Sequence, residues 1–300
     1  MDNIFVIGST NTDMVVKTDR FPLPGETKLG GTFFMHAGGK GANQAVAAAR
    51  LGGRVTLVTK LGDDIFGKQS LAGFKKENIL TDYVFIEKNQ ASGTALIIVN
   101  EEGENSIVVA PGANADLLPA DIDLLSNLKD AAIMLMQLEI PMQTVTHAAK
   151  KAKANRQRLI INPAPAQPLS NELLDGLFLI TPNETEASLL TGIPVIDESS
   201  ASRAADVFLS KGVQQVIITL GKRGAWFQNS RLKFMTPAPI VKAMDTTAAG
   251  DVFSGAIAVA LNEKMDWERA VSFAVQAASI SVTRMGAQSS IPKREEMVVE

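Results

Sequence analysis

The chain of 300 residues contains no cysteine and only two histidines, His36 and His147. The absence of cysteine excludes disulfides, thiolate metal sites and thiol catalysis, and it fits a reducing compartment. With so few imidazoles, a zinc site or a Ser-His-Asp triad has almost no residues to draw on. Any catalytic metal is therefore expected to be a hard cation bound by oxygen atoms, such as magnesium.

Long apolar runs and a dominant charge are also missing. No apolar stretch approaches the roughly 18 residues of a membrane span, and the opening sequence MDNIFVIGSTNTD has no basic region. The 29 basic and 32 acidic residues give a net charge of −3, with both signs spread along the chain. This balance leaves no electrostatic footprint for nucleic acid or an anionic membrane. We expect a cytoplasmic protein that has neither as a partner.

Two familiar nucleotide-binding motifs are absent as well. No GxGxxG follows the first predicted strand, which removes the main argument for a dinucleotide-dependent oxidoreductase. The sequence GDDIFGKQ at residues 62–69 comes close to a phosphate-loop pattern. However, Gln69 replaces the metal-binding hydroxyl, and Asp63 and Asp64 would repel phosphate. We therefore reject it as a phosphate loop.

The order of apolar segments indicates the fold class. Hydrophobic residues make up 46% of the chain and aromatic residues only 5%, so the core is expected to consist of Ala, Val, Ile and Leu. Residues 3–9 predict a buried strand, after which strand-like and helix-like segments alternate. Repeated β–α order predicts an α/β fold with a mostly parallel sheet covered on both faces. We expect one domain, residues 1–300.

Two strand-rich excursions interrupt this alternation, at about residues 13–36 and 91–110. The second lies within SGTALIIVNEEGENSIVVAPGAN, residues 92–114, where two apolar runs flank a polar turn with glycine and so predict a hairpin. We expect the two excursions to come together as a small β-sheet lid on one edge of the fold.

The most informative stretch is MDTTAAGDVFSGAIA, residues 244–258. It follows PAPIVKAM, which predicts a strand, and leads into a helical pattern that Thr246 or Thr247 can cap. The free N–H groups at the start of this helix would then form an anion site, and they belong to Ala248, Ala249, Gly250 and Asp251. Glycine in the opening turn suggests close approach of another molecule.

Asp251 lies among these amides, which allows two interpretations. In the first, the amides stabilise negative charge on a transferring group while Asp251 accepts a proton from an attacking hydroxyl. In the second, this is an ordinary capped helix whose positive end is favoured by a nearby carboxylate. These residues alone do not decide between them.

A glycine-rich segment, GGKGAN at residues 38–43, opens the first predicted helix. Gly38, Gly39 and Gly41 would let a small ligand approach the backbone, and Lys40 and Asn43 offer hydrogen-bond donors. The alternative is a flexible loop with a helix cap.

Polar residues also follow two predicted strands, where open α/β sheets place their ligands. Asn11 and Asp13 after the first strand could bind adjacent hydroxyls of a polyol, or form a local Asx turn. Glu139 could accept a hydroxyl, or simply end its strand in solvent.

Two further segments allow a structural and a functional interpretation. Asn183 and Glu186 have capping-box spacing. The sequence TLGKRG at residues 219–224 is either a loop beside a nucleotide or an ordinary hairpin turn.

The ordered set of motifs resembles the ribokinase-like family of carbohydrate kinases. These motifs span nearly the whole chain, and DTTAAGD is the most specific of them: GSTNTD, GGKGANQAVAAA, MQLE, INPAPA, TPNETEA, TLGKRG, DTTAAGDVFSGA and TRMGAQSSIP. The resemblance implies a Rossmann-like, three-layer α/β sandwich with a β lid through which two copies dimerise. It also implies transfer of the γ-phosphoryl group of ATP to a sugar hydroxyl.

The resemblance assigns roles to individual residues. Asp251 would be the base for a 5-hydroxyl, with the amides of Ala248, Ala249 and Gly250 as the anion hole. Residues matching the sugar site are Asn11, Asp13, Gly39, Lys40, Gly41, Asn43 and Glu139. Those matching the nucleotide site are Asn183, Thr219, Gly221, Lys222, Gly224, Gly250 and Val275, while Glu186 would act on Mg²⁺ indirectly. A monovalent cation, K⁺, would be bound by Asp245, Thr247, Ser281, Arg284, Gly286 and Ser290.

Small departures from the family pattern bear on specificity. The anion hole reads AAGD where many relatives have GAGD, and Ala248 should serve because backbone amides bind the anion. Val275 stands where some relatives have a polar residue near the adenine. Asn11 favours ribose over 2-deoxyribose, because its amide is best used if a hydroxyl meets it. A kinase for deoxyribose, fructose or a nucleoside is the alternative, followed by a non-catalytic sugar sensor.

Overall fold

The computed structural model describes residues 3–298. Strands and helices alternate through most of this range, as the sequence predicts. The strands are β1 (Asn3–Ile7), β2 (Asn11–Lys17), β3 (Thr32–Gly38), β4 (Arg54–Gly62), β5 (Leu80–Glu87), β6 (Gly93–Val99), β7 (Asn105–Ala110), β8 (Ala131–Met136), β9 (Arg158–Ile161), β10 (Leu179–Ile180), β11 (Gln215–Thr219), β12 (Gly224–Asn229) and β13 (Lys233–Pro237). The helices are α1 (Lys40–Arg50), α2 (Ile65–Lys76), α3 (Pro119–Asp123), α4 (Met142–Ala154), α5 (Asn171–Leu174), α6 (Glu184–Thr191), α7 (Glu198–Ser210), α8 (Ala249–Asn262) and α9 (Trp267–Ser281).

Nine strands form the central sheet, in the order β13-β12-β11-β10-β9-β8-β1-β4-β5. The seven strands from β11 to β5 run parallel, and β12 and β13 add an antiparallel edge. The carboxyl ends of the parallel strands therefore lie along one edge of the sheet, where open α/β sheets bind their ligands.

Both faces of this sheet are covered, which β1 illustrates. Ile4 and Val6 point into a core shared with α1, α2, α8 and α9, whereas Phe5 and Ile7 point into a core shared with α4 and α7. The alternation follows from the two-residue period of a strand. The predicted three-layer α/β architecture is confirmed.

A second sheet has the order β3-β2-β6-β7. The antiparallel pair β6 and β7 is the hairpin predicted from residues 92–114, and β2 joins it in parallel through β6. The two strand-rich excursions thus meet in one small sheet, as expected. Within residues 3–298, no helix combines the length and the apolar character needed to cross a bilayer.

One predicted strand is absent. PAPIVKAM was expected to lead into the helix at residue 249, but pairing with β12 ends at Pro237, and residues 238–243 form no strand. Proline cannot donate to a sheet ladder, and this segment has Pro237 and Pro239 only two residues apart. The chain therefore leaves the sheet early and runs over the surface, where Ile240 is fully exposed.

Candidate active site

The start of α8 differs in detail from the predicted cap. Ala248 occupies the N-cap position with φ 61°, in the left-handed region, and no side chain caps the helix. The prediction that Thr246 or Thr247 would cap it is wrong. The Thr247 amide and hydroxyl instead donate to Asp245 Oδ1, at 2.9 and 2.6 Å.

Most amides of this turn remain available. Within residues 3–298, the N–H groups of Ala248, Gly250 and Asp251 make no hydrogen bond, whereas that of Ala249 donates to the Thr246 carbonyl at 3.3 Å. The expectation of four free amides thus fails at Ala249. A Cβ built on Gly250 would meet no atom within 4 Å. The turn therefore presents backbone donors to open space, the arrangement that binds an anion.

Asp251 is buried directly behind this turn, with 5% of its surface exposed. One carboxylate oxygen accepts from Asn43 Nδ2 at 3.0 Å, and the other accepts from Gln44 Nε2 at 2.9 Å. Burial raises the pKa of Asp251, while Lys40 and the two amide donors counteract part of this increase. The environment therefore favours proton uptake by Asp251, as a general base requires.

Lys40 is the cation among the carboxylates of this site. Its pKa is raised by Asp251 first, against the opposing effect of burial, and then by Glu139, Glu186 and Asp13. These carboxylates come from four separate parts of the chain. The fold thus gathers the predicted charged residues around the ammonium group of one partly buried lysine.

The carboxyl group of Asp13 is also perturbed by its surroundings. Burial raises its pKa to about 6, with further increases from Glu139 and Asp251 and a decrease from Lys40. Asn11 and Asp13 are two residues apart on β2 and therefore face the same side of the sheet. Since both pair within that strand, the alternative of a local Asx turn is excluded.

Glu139 lies three residues beyond β8 and ties neighbouring segments together. Its Oε2 atom accepts from Ser9 Oγ at 2.5 Å and from the Lys40 amide at 3.0 Å. Glu139 is therefore not a solvated strand end. Ser9, the last residue of the predicted first strand, is a contributor that the sequence interpretation missed.

Asn114 is a second missed residue. Its Nδ2 donates to Asn11 Oδ1 at 2.8 Å and to the Thr10 carbonyl at 3.0 Å, and its Oδ1 accepts from the Thr10 amide at 2.9 Å. This orients the Asn11 amide so that its NH₂ group faces away from Asn114. A Cβ on Gly93 would lie 2.2 Å from both side chains, so only glycine fits there.

The three glycines of GGKGAN serve packing. A Cβ would lie 2.2 Å from the Asp13 carboxylate at Gly38, 2.6 Å from the Asn11 amide nitrogen at Gly39, and 2.5 Å from the backbone of Gly8 at Gly41. Contact between a ligand and the backbone of these glycines stays a prediction. The missing side chains of Gly38 and Gly39 let this segment approach β2 and Thr10, and that of Gly41 lets α1 approach Gly8 and Ser9 beyond β1.

A cleft of about 600 Å³ lies on the other side of the α8 turn. Most residues that match the nucleotide site of the family line it: Asn183, Thr219, Gly221, Lys222, Gly224, Gly250 and Val275. The turn at residues 219–224 is both a hairpin between β11 and β12 and a wall of this cleft. The irregular segment at residues 238–243, missed as a contributor, forms another wall.

Glu186 does not line this cleft and lies in the first turn of α6, just beyond Asn183, which does line it. The predicted capping box is formed, because Glu186 N donates to Asn183 Oδ1 at 2.8 Å and Asn183 N donates to Glu186 Oε2 at 2.9 Å. Burial raises the pKa of Glu186, and the hydrogen bond from Asn183 opposes this. Within residues 3–298, no three His, Asp or Glu side chains form a metal-ligating cluster. A magnesium ion would thus depend on substrate phosphates and water for most of its ligands, as is usual for this ion.

The residues that match the K⁺ site lie in two adjoining segments, the loop before α8 and the chain from the last residue of α9 to Ser290. Asp245 Oδ2 accepts from the Gly286 amide at 2.9 Å, which joins the loop before α8 to the loop after α9. Burial raises the pKa of Asp245, but hydrogen bonds from Thr247 and Gly286 outweigh this and hold it below the usual range. In the described part of the chain, the carbonyls of Thr247, Arg284 and Gly286 accept no hydrogen bond. A cradle of unpaired carbonyls suits a hard monovalent cation.

The remaining predicted K⁺ ligands use their side chains elsewhere. Ser281 Oγ donates to the Ala278 carbonyl and Ser290 Oγ to the Ala287 carbonyl, both at 2.8 Å. The Arg284 guanidinium pairs with Glu296. The two serine hydroxyl oxygens keep lone pairs for a cation, whereas the Ser281 carbonyl also accepts from the Arg284 amide at 3.1 Å.

Comparison with known proteins supports the same assignment. A model described as pfkB family carbohydrate kinase matches residues 1–294. Ribokinase of Haemophilus influenzae is 45% identical over 97% of this chain and 95% of its own length, and deoxyribokinase of Salmonella typhi is 39% identical over 98% and 97%. The structure of Arabidopsis thaliana ribokinase complexed with ribose and ATP has a TM-score of 0.92 at 36% identity, covering 98% of this chain and 96% of that one. The chain belongs to the pfkB family of carbohydrate kinases, as its motifs predict.

Proposed function

We propose that this protein transfers the γ-phosphoryl group of ATP to the 5-hydroxyl of D-ribose, giving ribose 5-phosphate and ADP. The observation that carries this proposal is the position of Asp251. Its buried carboxylate lies at the turn where Gly250, whose amide is unpaired, lines the cleft, and it interacts electrostatically with Lys40, Glu139 and Asp13. Phosphoryl transfer requires this combination of alignment, charge stabilisation and a nearby base.

The side chains divide the work between sugar and phosphate. Asp13 and Glu139 would accept hydrogen bonds from the sugar hydroxyls, and the NH₂ group of Asn11 would donate to one of them. Gly39, Lys40, Gly41 and Asn43 would also contact the sugar. Asp251 would take the proton of the 5-hydroxyl as the oxygen attacks the phosphorus. The amides of Ala248 and Gly250 would stabilise charge on the migrating group, and that of Ala249 would do so after releasing its long bond to Thr246.

ATP would lie in the 600 Å³ cleft, with its adenine toward Val275 and its phosphates toward Asn183 and Gly250. Magnesium would neutralise charge on the phosphates, with Glu186 acting through water. Lys40 would add a fixed positive charge beside Asp251. We propose K⁺ as an activator bound by the carbonyls and carboxylate of the two loops around Asp245.

The second sheet would act as a lid and as a dimer interface. Its strands β3, β6 and β7 expose apolar side chains, with Phe33 60%, Leu96 54%, Ile107 51% and Val108 66% accessible. Apolar patches of this kind mark contact surfaces. Analytical ultracentrifugation tests this: a protein that stays monomeric at micromolar concentration would contradict the dimer. A single domain and a cytoplasmic location stay predictions.

Substrate specificity has a close alternative. The relatives include both a ribokinase and a deoxyribokinase, so a few contacts decide between the two sugars. The Asn11 amide held by Asn114 favours ribose, because without the 2-hydroxyl a buried polar group would lose its partner.

A sugar panel measures this directly. ADP release is followed with ribose, 2-deoxyribose, fructose and a nucleoside, with ATP and magnesium, in the presence and absence of potassium. We expect the highest kcat/KM with ribose and higher turnover with potassium. A preference for deoxyribose would support the alternative, and sugar binding without ADP release would indicate a sensor.

A further inference from the structure

Three polar residues lie directly beyond the carboxyl ends of three adjacent parallel strands. Gln137 follows β8, Asn162 follows β9 and Thr181 follows β10. Asn162 Nδ2 donates to the Thr181 carbonyl at 3.0 Å. These positions form the floor beneath Asp251, and all three residues are buried. None belongs to the set of residues that the family motifs assign to substrates.

Gln44 connects this floor to Asp251. Its Nε2 donates to Asp251 Oδ1 at 2.9 Å and to Asn162 Oδ1 at 3.0 Å, while its Oε1 accepts from Gln137 Nε2 at 2.6 Å. Turning the amide over would place Oε1 against two acceptor oxygens. The contacts therefore allow one orientation of the Gln44 side chain, with its donor toward the carboxylate.

Gln44 has no exposed surface, so it cannot reach a sugar or a nucleotide. Its effect on the reaction would have to pass through Asp251. The neighbouring residue Asn43 donates to the other carboxylate oxygen at 3.0 Å, so consecutive side chains of α1 hold both oxygens. A carboxylate bonded at both oxygens cannot rotate freely about its χ2 angle.

We propose that Gln44 is a positioning residue that fixes the plane of the Asp251 carboxylate and keeps it unprotonated for the attacking hydroxyl. This inference rests on the proposed function, in which Asp251 is the base. Gln137 and Asn162 hold the Gln44 amide in the productive orientation. These buried residues thus affect the orientation and ionisation of Asp251 without contacting any substrate.

The charges around Asp251 set the direction of the effect. Lys40 on α1 favours its ionised form, whereas Glu139 beyond β8, Asp13 on β2 and Glu186 on α6 disfavour it. Burial raises the pKa of Asp251, and the Gln44 hydrogen bond lowers it. Removing that donor should therefore raise the pKa further. Turnover would then be lost mainly at low pH.

The test is the pH profile of kcat for Gln44→Met, which keeps the length of the side chain but cannot donate. We expect the acid limb to move up by about one pH unit, the scale of one lost charge-assisted hydrogen bond. Well below the limb, kcat falls about tenfold, and it recovers at higher pH. Ribose affinity measured by calorimetry stays unchanged.

Gln44→Glu provides a second variant of the same shape, in case Gln44→Met folds poorly. A second carboxylate beside Asp251 should move the acid limb further than Gln44→Met does. Val46→Ala is the control, because Val46 is buried on the same helix within the apolar core. It lowers the melting temperature without moving the limb.

The outcomes separate this inference from the proposed function. A folded Gln44→Met protein whose acid limb coincides with that of the wild type would overturn the role of Gln44. An equal shift in Val46→Ala would reduce that role to general stability and overturn it too. If Asp251→Asn kept its turnover, the proposed base itself would be wrong.

Discussion

The two halves of the candidate active site are built differently. On the proposed sugar side, Asp251 and Gln44 are buried, and their side-chain oxygen and nitrogen atoms all have hydrogen-bond partners at 2.6–3.0 Å. On the nucleotide side, an open cleft is lined largely by apolar groups such as Val275, Ile240 and Phe253. The contrast indicates where precision matters, since the reacting oxygen and its base must be aligned before transfer. The nucleotide cleft has only to bind and orient.

The largest effect is expected from Asp251→Asn, at the centre of the sugar side. The variant keeps the shape of the side chain but cannot accept the proton of the hydroxyl, so kcat should fall about 10² to 10⁴-fold. Sugar affinity, measured by calorimetry, should remain within a few-fold of wild type. Near-normal turnover would contradict the role of Asp251 as the base, and with it the need for precise alignment on the sugar side.

Asp13→Asn should show how much the ionised carboxylate of Asp13 destabilises the folded protein. The pKa of Asp13 is about 6 in the folded protein against an ordinary 3.8, so the stabilisation present below pH 4 is lost as the pH rises through 6. This difference of about two in pKa corresponds to ~3 kcal/mol of unfolding free energy at pH 7. Asp13→Asn should therefore resist urea better than wild type at pH 7, although it binds sugar poorly.

At pH 4 the two proteins should unfold at the same urea concentration. Asp82→Asn, at an exposed position of β5, is the matched control and should show no such pH dependence. Equal stabilities of Asp13→Asn and wild type at pH 7 would show that ionisation of Asp13 does not destabilise the folded protein.

Gly255→Ala should disturb the contact between the helices that align the base. A Cβ there would lie 2.7 Å from Ala47 Cβ and from the Gln44 carbonyl oxygen, so α8 must move away from α1. We expect a loss of ~1 to 3 kcal/mol from overpacking, and lower kcat. Gly73→Ala on α2 is the control, because its Cβ would meet nothing within 4 Å and should stabilise by ~0.5 to 1 kcal/mol. Two variants of equal stability would contradict this.

The smallest effect is expected on the open side. Ile240 is fully exposed, so Ile240→Ala should leave the unfolding free energy within about 0.5 kcal/mol of wild type. The KM for ATP should rise several-fold, while the KM for ribose stays constant. A change confined to ribose would place Ile240 in the wrong half of the site.

Local pattern predicted the elements well but not their long-range contacts. Buried strands such as β1 and β8, and helices such as α1, follow from apolar runs and periodicity that neighbouring residues determine. Gln44 and Asn114 were missed because their partners lie 207 and 103 residues away along the chain. Only a polar residue just after an apolar strand, as at Gln137 and Asn162, offered a signal.

The wrong predictions also have local causes. The strand predicted over PAPIVKAM does not form. The prediction gave more weight to its apolar residues than to its two prolines, which cannot donate to a sheet ladder. The predicted threonine cap does not form because the Thr247 hydroxyl donates to Asp245 instead. Packing also explains the glycines of GGKGAN, a role that the sequence alone did not predict.

Ala248 has a consequence for how such a protein can change over evolutionary time. Its left-handed backbone, with φ 61°, costs a residue with a Cβ roughly 1 to 2 kcal/mol, and glycine would avoid most of that cost. In the proposed function the amide of this residue, and not its methyl group, would face the anion, so alanine and glycine would be chemically equivalent there. Exchange between them would adjust the thermal tolerance of a lineage while leaving its chemistry untouched.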